Sequence, residues 1–217
     1  MKFPGIKTGI RSLLRKKTYL IINVLGLGIG FASFLILSLF IYNDVTYNHF
    51  NKNLKNIYRV REGESVQTKG LLLPKVLEEI PEVENGTRLF GWDGFRISYK
   101  ETAFPENIQY ADTGFFSVFS FPFIEGSAKP GIYEKYGVVI SRDFARKYFG
   151  SESAIGKKLR VKFDNIFLKV NGVVDIPENS SVKFNILASY ETGETISPWI
   201  KQVHDWYNTF STTYLLL

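Results

Sequence analysis

Tyr19 to Tyr42 reads YLIINVLGLGIGFASFLILSLFIY, twenty-four residues without one Lys, Arg, Asp, Glu or His. At about 1.5 Å of rise per residue, a helix of this length reaches roughly 36 Å, enough to cross a hydrocarbon core of about 30 Å with some tilt. The stretch is expected to be a transmembrane helix, with the residues before it on one side of a bilayer and the residues after it on the other. A cleaved signal peptide also has a basic start and an apolar run, but that run spans about 7–15 residues before a small-x-small cleavage site. Here the run is longer, and Phe, Leu, Ile and Tyr crowd its end. It reads as a retained anchor.

The flanks orient it. Lys2, Lys7, Arg11, Arg15, Lys16 and Lys17 precede the span with no acid among them, and Asn43-Asp44 comes directly after it. Lys and Arg in short loops stay on the cytoplasmic side, which makes Arg11, Arg15, Lys16 and Lys17 the expected topology determinants and puts everything from Asn43 onward outside. Residues 1–18 are expected to hold a cytoplasmic elbow helix, because Ile6, Ile10, Leu13 and Leu14 fall on one side and Lys7, Arg11 and Arg15 on the other. Residues 19–42 are the span and 43–217 the outer domain.

Inside the span, GLGIG (Gly26 to Gly30) has no strand before it and sits within lipid, unlike a dinucleotide-binding loop. Gly26 and Gly30 instead form a small-x-x-x-small pair that lets another helix approach closely, and Asn23 adds a polar group on the same side. Asn23, Gly26 and Gly30 are the expected helix-packing residues.

The formal charge of +6 is local. Six of the 27 basic residues lie before Thr18, leaving 21 basic against 21 acidic residues in the rest. Basic charge confined to a juxtamembrane segment points to topology and anionic lipid, and away from nucleic acid. The absence of Cys removes thiol catalysis, thiolate metal sites and disulfides together. The 175 residues after the span are enough to bury a core of their own.

Taken in order, Asp44 to Asn56 carries Tyr47, Phe50 and Leu54 at helical spacing and is expected to continue the membrane helix, followed by a strand from Ile57 to Val60. A helix over Thr68 to Ile80 would place Leu71, Leu72, Val76, Leu77 and Ile80 on one face and end at Pro81. Short strands at Thr87 to Phe90 and Phe95 to Tyr99 complete a β-α-β start. In the aromatic run YADTGFFSVFSFPFIEG (Tyr110 to Gly126), Asp112 or Thr113 can cap a short helix, and the rings are expected to be core. Val138 to Ile140 reads as a strand, with Ser141 capping a helix through Tyr148 that Gly150 stops. Further strands are expected at Lys158 to Phe163, Phe167 to Val174 (with Asn165 near the turn between them) and Lys183 to Ala188. The terminal TTYLLL is an apolar strand that either pairs inside the sheet or belongs to the front part of a longer protein.

Catalytic and metal-binding sets are not found. His49 and His204 are the only histidines and are far apart, so exposed or structural roles are expected. No G-x-S-x-G or H-E-x-x-H occurs. GSESAIGKK (Gly150 to Lys158) departs from the ATP-binding loop in its spacing, and Lys158 stands in the place of the hydroxyl. Glu78-Glu79 reads as a solvated helix face. No catalytic, cofactor-binding or metal residue is expected.

RSLLRKKTYLIINVLGLGIG (Arg11 to Gly30), YNHFNKNLKNIYRV (Tyr47 to Val60), ADTGFFSVFSFPFIEG (Ala111 to Gly126), VVISRDFARKYFGSESAIGKKL (Val138 to Leu159) and VNGVVDIPENSSVKFNILAS (Val170 to Ser189) together resemble the MacB/FtsX-type permeases of ABC transporters, particularly those of Bacteroidetes. The resemblance implies an α+β protein: one N-terminal transmembrane helix, then a periplasmic core domain of β-α-β porter type with an inserted, mostly β subdomain. It implies an N-terminal portion whose core domain is incomplete at its C-terminus, in a bacterial inner membrane. It also implies dimers of permeases and a separate cytoplasmic ABC ATPase that binds the ATP, with no cofactor on this chain. Asn48 stands where Asp is common in that family, and Ser181 where His often comes after the Pro-Glu-Asn-Ser turn. The function expected is a permease or mechanotransmission subunit. The rival is a single-pass anchored binding or sensor domain.

Overall fold

The computed structural model describes residues 17–161, 166–202 and 204–217. The elbow helix, the topology residues Arg11, Arg15 and Lys16, and the turn residue Asn165 lie outside the described residues. The chain divides into two units, Met1–Tyr47 and Asn48–Leu217.

In the first unit, α1 runs from Lys17 to Val45 without a buried residue. Its apolar side chains project on every side, from Leu27 and Ile29 to Phe40 and Tyr42. A helix apolar all round needs an apolar solvent, as the sequence requires. Two hydroxyls bond back to helix carbonyls: Ser33 donates to the Ile29 carbonyl at 2.9 Å, and Thr46, just past the helix end, donates to the Tyr42 carbonyl at 2.8 Å. The helix does not continue to Asn56. It ends at Val45, turns occupy Thr46 to Phe50, and Asn48 has a φ of 61° that an α-helix cannot contain. Beyond them comes only a single 3₁₀ turn, Leu54–Asn56.

The second unit is α+β, built on one sheet. Its strands are β1 (Ile57–Arg59), β2 (Thr68–Lys69), β3 (Asn85–Tyr99), β4 (Thr102–Ala111), β5 (Phe123–Gly126), β6 (Gly137–Ser141), β7 (Lys158–Val161), β8 (Ile166–Val174), β9 (Ile186–Ser189) and β10 (Thr209–Leu216). The main order is β1-β10-β3-β4-β9-β6-β8-β5, with β2 on β10. β7 pairs with both β3 and β8, which closes a hydrogen-bonded circuit through β3, β4, β9, β6, β8 and β7. The helices are α2 (Leu72–Glu79), α3 (Phe115–Val118), α4 (Ala128–Tyr133), α5 (Arg142–Phe149), α6 (Tyr190–Ile196) and α7 (Trp199–Gln202).

Strand side chains alternate between faces, and here each face has its own core. Phe90, Tyr110, Ile140, Val173 and Ile186 enter one cluster with Phe144 and Tyr148 of α5. Their neighbours Leu89, Ala111, Val139, Val174 and Leu187 enter the other, under Phe115, Phe119, Phe121 and Phe184. The aromatic run is core, as expected. β1, α2 and β3 give the β-α-β start, with β10 inserted between its two strands. The strand-rich remainder joins the same sheet. The terminal apolar residues therefore pair inside it, on both sides.

Several local expectations need correction. Thr68 and Lys69 belong to a strand, where the Thr68 hydroxyl bonds the Ser211 carbonyl at 2.9 Å and the Thr213 hydroxyl at 2.6 Å. The helix therefore begins at Leu72 and buries Leu73, leaving Leu77 and Ile80 exposed. The two strands on either side of Trp92 are one strand with a bulge, accommodated by Gly94 at a φ of 93°. Neither Asp112 nor Thr113 caps α3; Gly114 takes that position with no side-chain bond. Ser141 does cap α5, accepting from the Phe144 N–H at 3.1 Å, and Gly150 ends it at a φ of 64°.

Candidate functional site

Chemistry is sparse among the described residues. No group of three His, Asp or Glu side chains is placed to hold a metal. His49 is exposed. Glu78 and Glu79 lie on the outer face of α2, 3.1 and 3.0 Å from Lys75. In α1, Asn23, Gly26 and Gly30 fall on one face by helical spacing, and a Cβ on either glycine would meet nothing within 4 Å. Lys17 is exposed at the helix start.

His204 is structural. It lies in a polar cluster centred on the buried Arg88 of β3, a cluster that sequence reasoning missed. Arg88 forks onto Asp112, Nε to Oδ2 at 2.9 Å and Nη2 to Oδ1 at 2.6 Å, while its backbone N–H donates to the same carboxylate at 2.8 Å. Its Nη1 reaches the Gly70 carbonyl and, at 2.7 Å, His204 Nε2. The guanidinium carbon sits 4.2 Å from the centre of the Tyr190 ring. Burial pushes the Tyr190 phenol above its ordinary range, with Arg88 opposing the shift, so the phenol is neutral. Five separate segments meet on one cation, and nothing local in the sequence announces that.

A second polar set joins β4 to α5. The buried Glu106 accepts from Lys147 at 2.7 Å, Tyr148 at 3.2 Å and Asn185 at 3.0 Å. Burial and then the charge of Glu106 raise the Tyr148 pKa above its usual value.

A third set of contacts lies at the start of the second unit. Asn48 to Asn56 is fastened by amide side chains instead of helical hydrogen bonds. Asn48 donates its N–H to the Asn179 carbonyl at 2.9 Å, and its Oδ1 accepts from the Ser181 N–H at 2.8 Å. Asn48 and Ser181 thus touch each other. Asn51, 5% exposed, accepts the Ser120 N–H on Oδ1 at 2.9 Å, and Ser120 Oγ accepts the Lys52 N–H at 3.2 Å. Phe50 packs on Phe121 with ring centres 5.1 Å apart. The first and last strands are antiparallel neighbours, and Leu217 N–H bonds the Asn56 carbonyl at 3.0 Å. Force applied at Asn48 therefore reaches the 176–184 segment, the aromatic loop and the sheet by short, hydrogen-bonded routes. Asn51→Ala leaves the Ser120 N–H without this acceptor in a part-buried site, and the expected loss is about 1–3 kcal/mol, read as a lower urea midpoint at unchanged slope.

No curated protein matches the chain. Solved structures share its fold. A domain named as that of a permease protein from Porphyromonas gingivalis superposes with a TM-score of 0.59 at 24% identity, covering 74% of this chain and 70% of that one. The periplasmic region of MacB from Actinobacillus actinomycetemcomitans gives 0.55 at 14% identity over 78% and 79%. The extracellular domain of the noncanonic ABC-type transporter YknZ from Gram-positive bacteria gives 0.51 at 14% over 73% and 80%. The family model of the MacB-like periplasmic core domain matches residues 20–213, which takes in most of the membrane helix and nearly all of the outer unit. On that match, the chain belongs to the MacB-like periplasmic core domain family.

Proposed function

We propose that this chain is the permease or mechanotransmission subunit of a bacterial ABC transporter, with the ATP bound and hydrolysed by a separate cytoplasmic partner. The observation that carries the reading is the junction at Asn48 to Asn56. A segment entering from the membrane helix is clamped to two loops and to paired first and last strands. A tethered binding domain needs only a linker; a mechanical output needs a stiff connection. The clamp stands where the sequence leads one to expect the membrane helix to continue.

In this reading the N-terminus is cytoplasmic, set by Arg11, Arg15, Lys16 and Lys17, and the outer unit is periplasmic. Asn23, Gly26 and Gly30 form the face on which a second permease helix packs. No residue of the chain is assigned to catalysis or to a metal.

The test is a Gly-Ser insertion after Tyr47 in the full-length protein, reconstituted with its ATPase in proteoliposomes. Hydrolysis is expected to persist while export or envelope output falls to the level seen without ATPase. Output equal to that of the wild type would overturn the reading.

A further inference from the structure

A groove crosses the part of the sheet that the second core leaves uncovered. Its first recess, about 390 Å³, is bounded by Asn107, Gln109, Asp143, Glu178 and Lys183. A second, about 300 Å³, shares Gln109 and Lys183 with it and adds Gly91 and Thr212. A third, about 340 Å³, shares Ser181 and Tyr214 with the second and ends at Arg59.

The floor is set by strand periodicity. Leu89, Ala111 and Leu216 point into the second core, so Gly91, Gln109 and Tyr214, each two residues away, share that face. β1, β10, β3 and β4 are consecutive neighbours, and three strand spacings span about 14 Å. That is the reach of four to five extended residues at about 3.3 Å each. A Cβ on Gly91 would come within 3.1 Å of Gln109 Nε2, so the glycine keeps room for that amide. The Gln109 amide and the Thr212 hydroxyl offer both donors and acceptors, as a polypeptide backbone requires.

Charge gives the groove a direction. Asp143 and Glu178 lie at one end, Lys183 in the middle and Arg59 at the other end, all exposed. Asp143, Glu178 and Lys183 take part in no ion pair among the described residues, whereas the adjacent Arg142 and Asp175 neutralise each other at 3.0 Å. A small ligand in the first recess meets Asp143, Glu178 and Lys183; only an extended one also reaches Arg59.

We propose that this groove takes an extended, bipolar polypeptide segment of a partner protein outside the membrane, with its basic end on Asp143 and Glu178 and its acidic end on Lys183 and Arg59. The site rests on the groove alone and does not depend on coupling to an ATPase.

The experiment uses the full chain in lipid nanodiscs and fluorescent peptides of about twelve residues, long enough to overrun the groove. They share an uncharged Ser/Thr/Gly centre. One pair is basic at one end and acidic at the other, in both chain directions; the controls are basic or acidic at both ends. One bipolar peptide is expected to bind about tenfold more tightly than either control, as two exposed charge pairs together would give. The Asp143→Lys/Glu178→Lys variant is expected to transfer the preference to the acidic peptide, a gain that a misfolded protein would not show. Equal binding of all four peptides, an unchanged preference in the variant, or tighter binding of an uncharged oligosaccharide than of any peptide would overturn the proposal.

Discussion

Asp112→Ala will lower the unfolding free energy of the outer unit by about 3–5 kcal/mol, the cost of stranding a buried charge. The Arg88 side chain is 6% exposed and cannot swing into water. Without Asp112 it keeps the Gly70 carbonyl, His204 and the Tyr190 face, none of which carries a full negative charge. A neutral arginine is not an escape, because the guanidinium stays protonated at any working pH. Urea unfolding of the full chain in detergent, monitored by the tyrosine and tryptophan near-ultraviolet signal, measures the effect. The double variant Arg88→Met/Asp112→Leu should recover much of the loss, since it removes the charge together with its partner. Recovery should be incomplete, because Gly70 and His204 lose a donor. A loss below about 1 kcal/mol for Asp112→Ala would mean that water reaches Arg88, and that the pair is an ordinary surface one.

The same cluster shows where reading from sequence stops. Asp112 is open to interpretation as a helix cap because it precedes a short helical run, and that inference uses only neighbours in the chain. Its actual partner lies 24 residues upstream, on the adjacent strand. Features decided by contiguous residues are legible: the membrane span, the Ser141 cap, the Gly150 stop and the long strand ending at Val174. β4 is not, because Pro105, Glu106, Asn107 and Gln109 look like loop residues. The fold supplies three of them with a reason to be in a strand. Glu106 is held by Lys147, Tyr148 and Asn185, while Asn107 and Gln109 line the groove. Polar residues at strand positions hide a strand whenever their partners are distant in sequence.

The stretch Asp44 to Asn56 misleads for the opposite reason. Tyr47, Phe50 and Leu54 have helical spacing, yet Phe50 is apolar because it packs on Phe121, and Asn48 and Asn51 take loop and turn hydrogen bonds instead. Periodicity over three residues is weak when each can be explained by a separate tertiary contact. The candidate site is less legible than the fold. Its amides carry no motif, and their value lies in which loops they join.

Phe115→Ala should cost about 3–5 kcal/mol, the usual range for deleting a buried ring and leaving its cavity. Phe115 is fully buried, with the rings of Phe116, Phe119, Phe121 and Phe184 at 4.9, 5.1, 5.7 and 5.8 Å. α3 is a single turn without a side-chain cap, so it is held in place by what its side chains bury and not by its own hydrogen bonds. Truncating its central ring should therefore loosen the whole turn, together with the Asn51–Ser120 and Lys52–Ser120 bonds just beyond it. Phe167→Ala is the control: that ring is 49% exposed, and its loss should change stability by less than about 1 kcal/mol. If the two variants unfold at the same urea concentration, the aromatic run is not the core of this face. If Phe115→Ala also speeds hydrogen exchange at the amides of Lys52 and Ser120, then the packing of α3 and the clamp at the junction form one cooperative unit. A pull on Asn48 would then be felt as far as the centre of the second core.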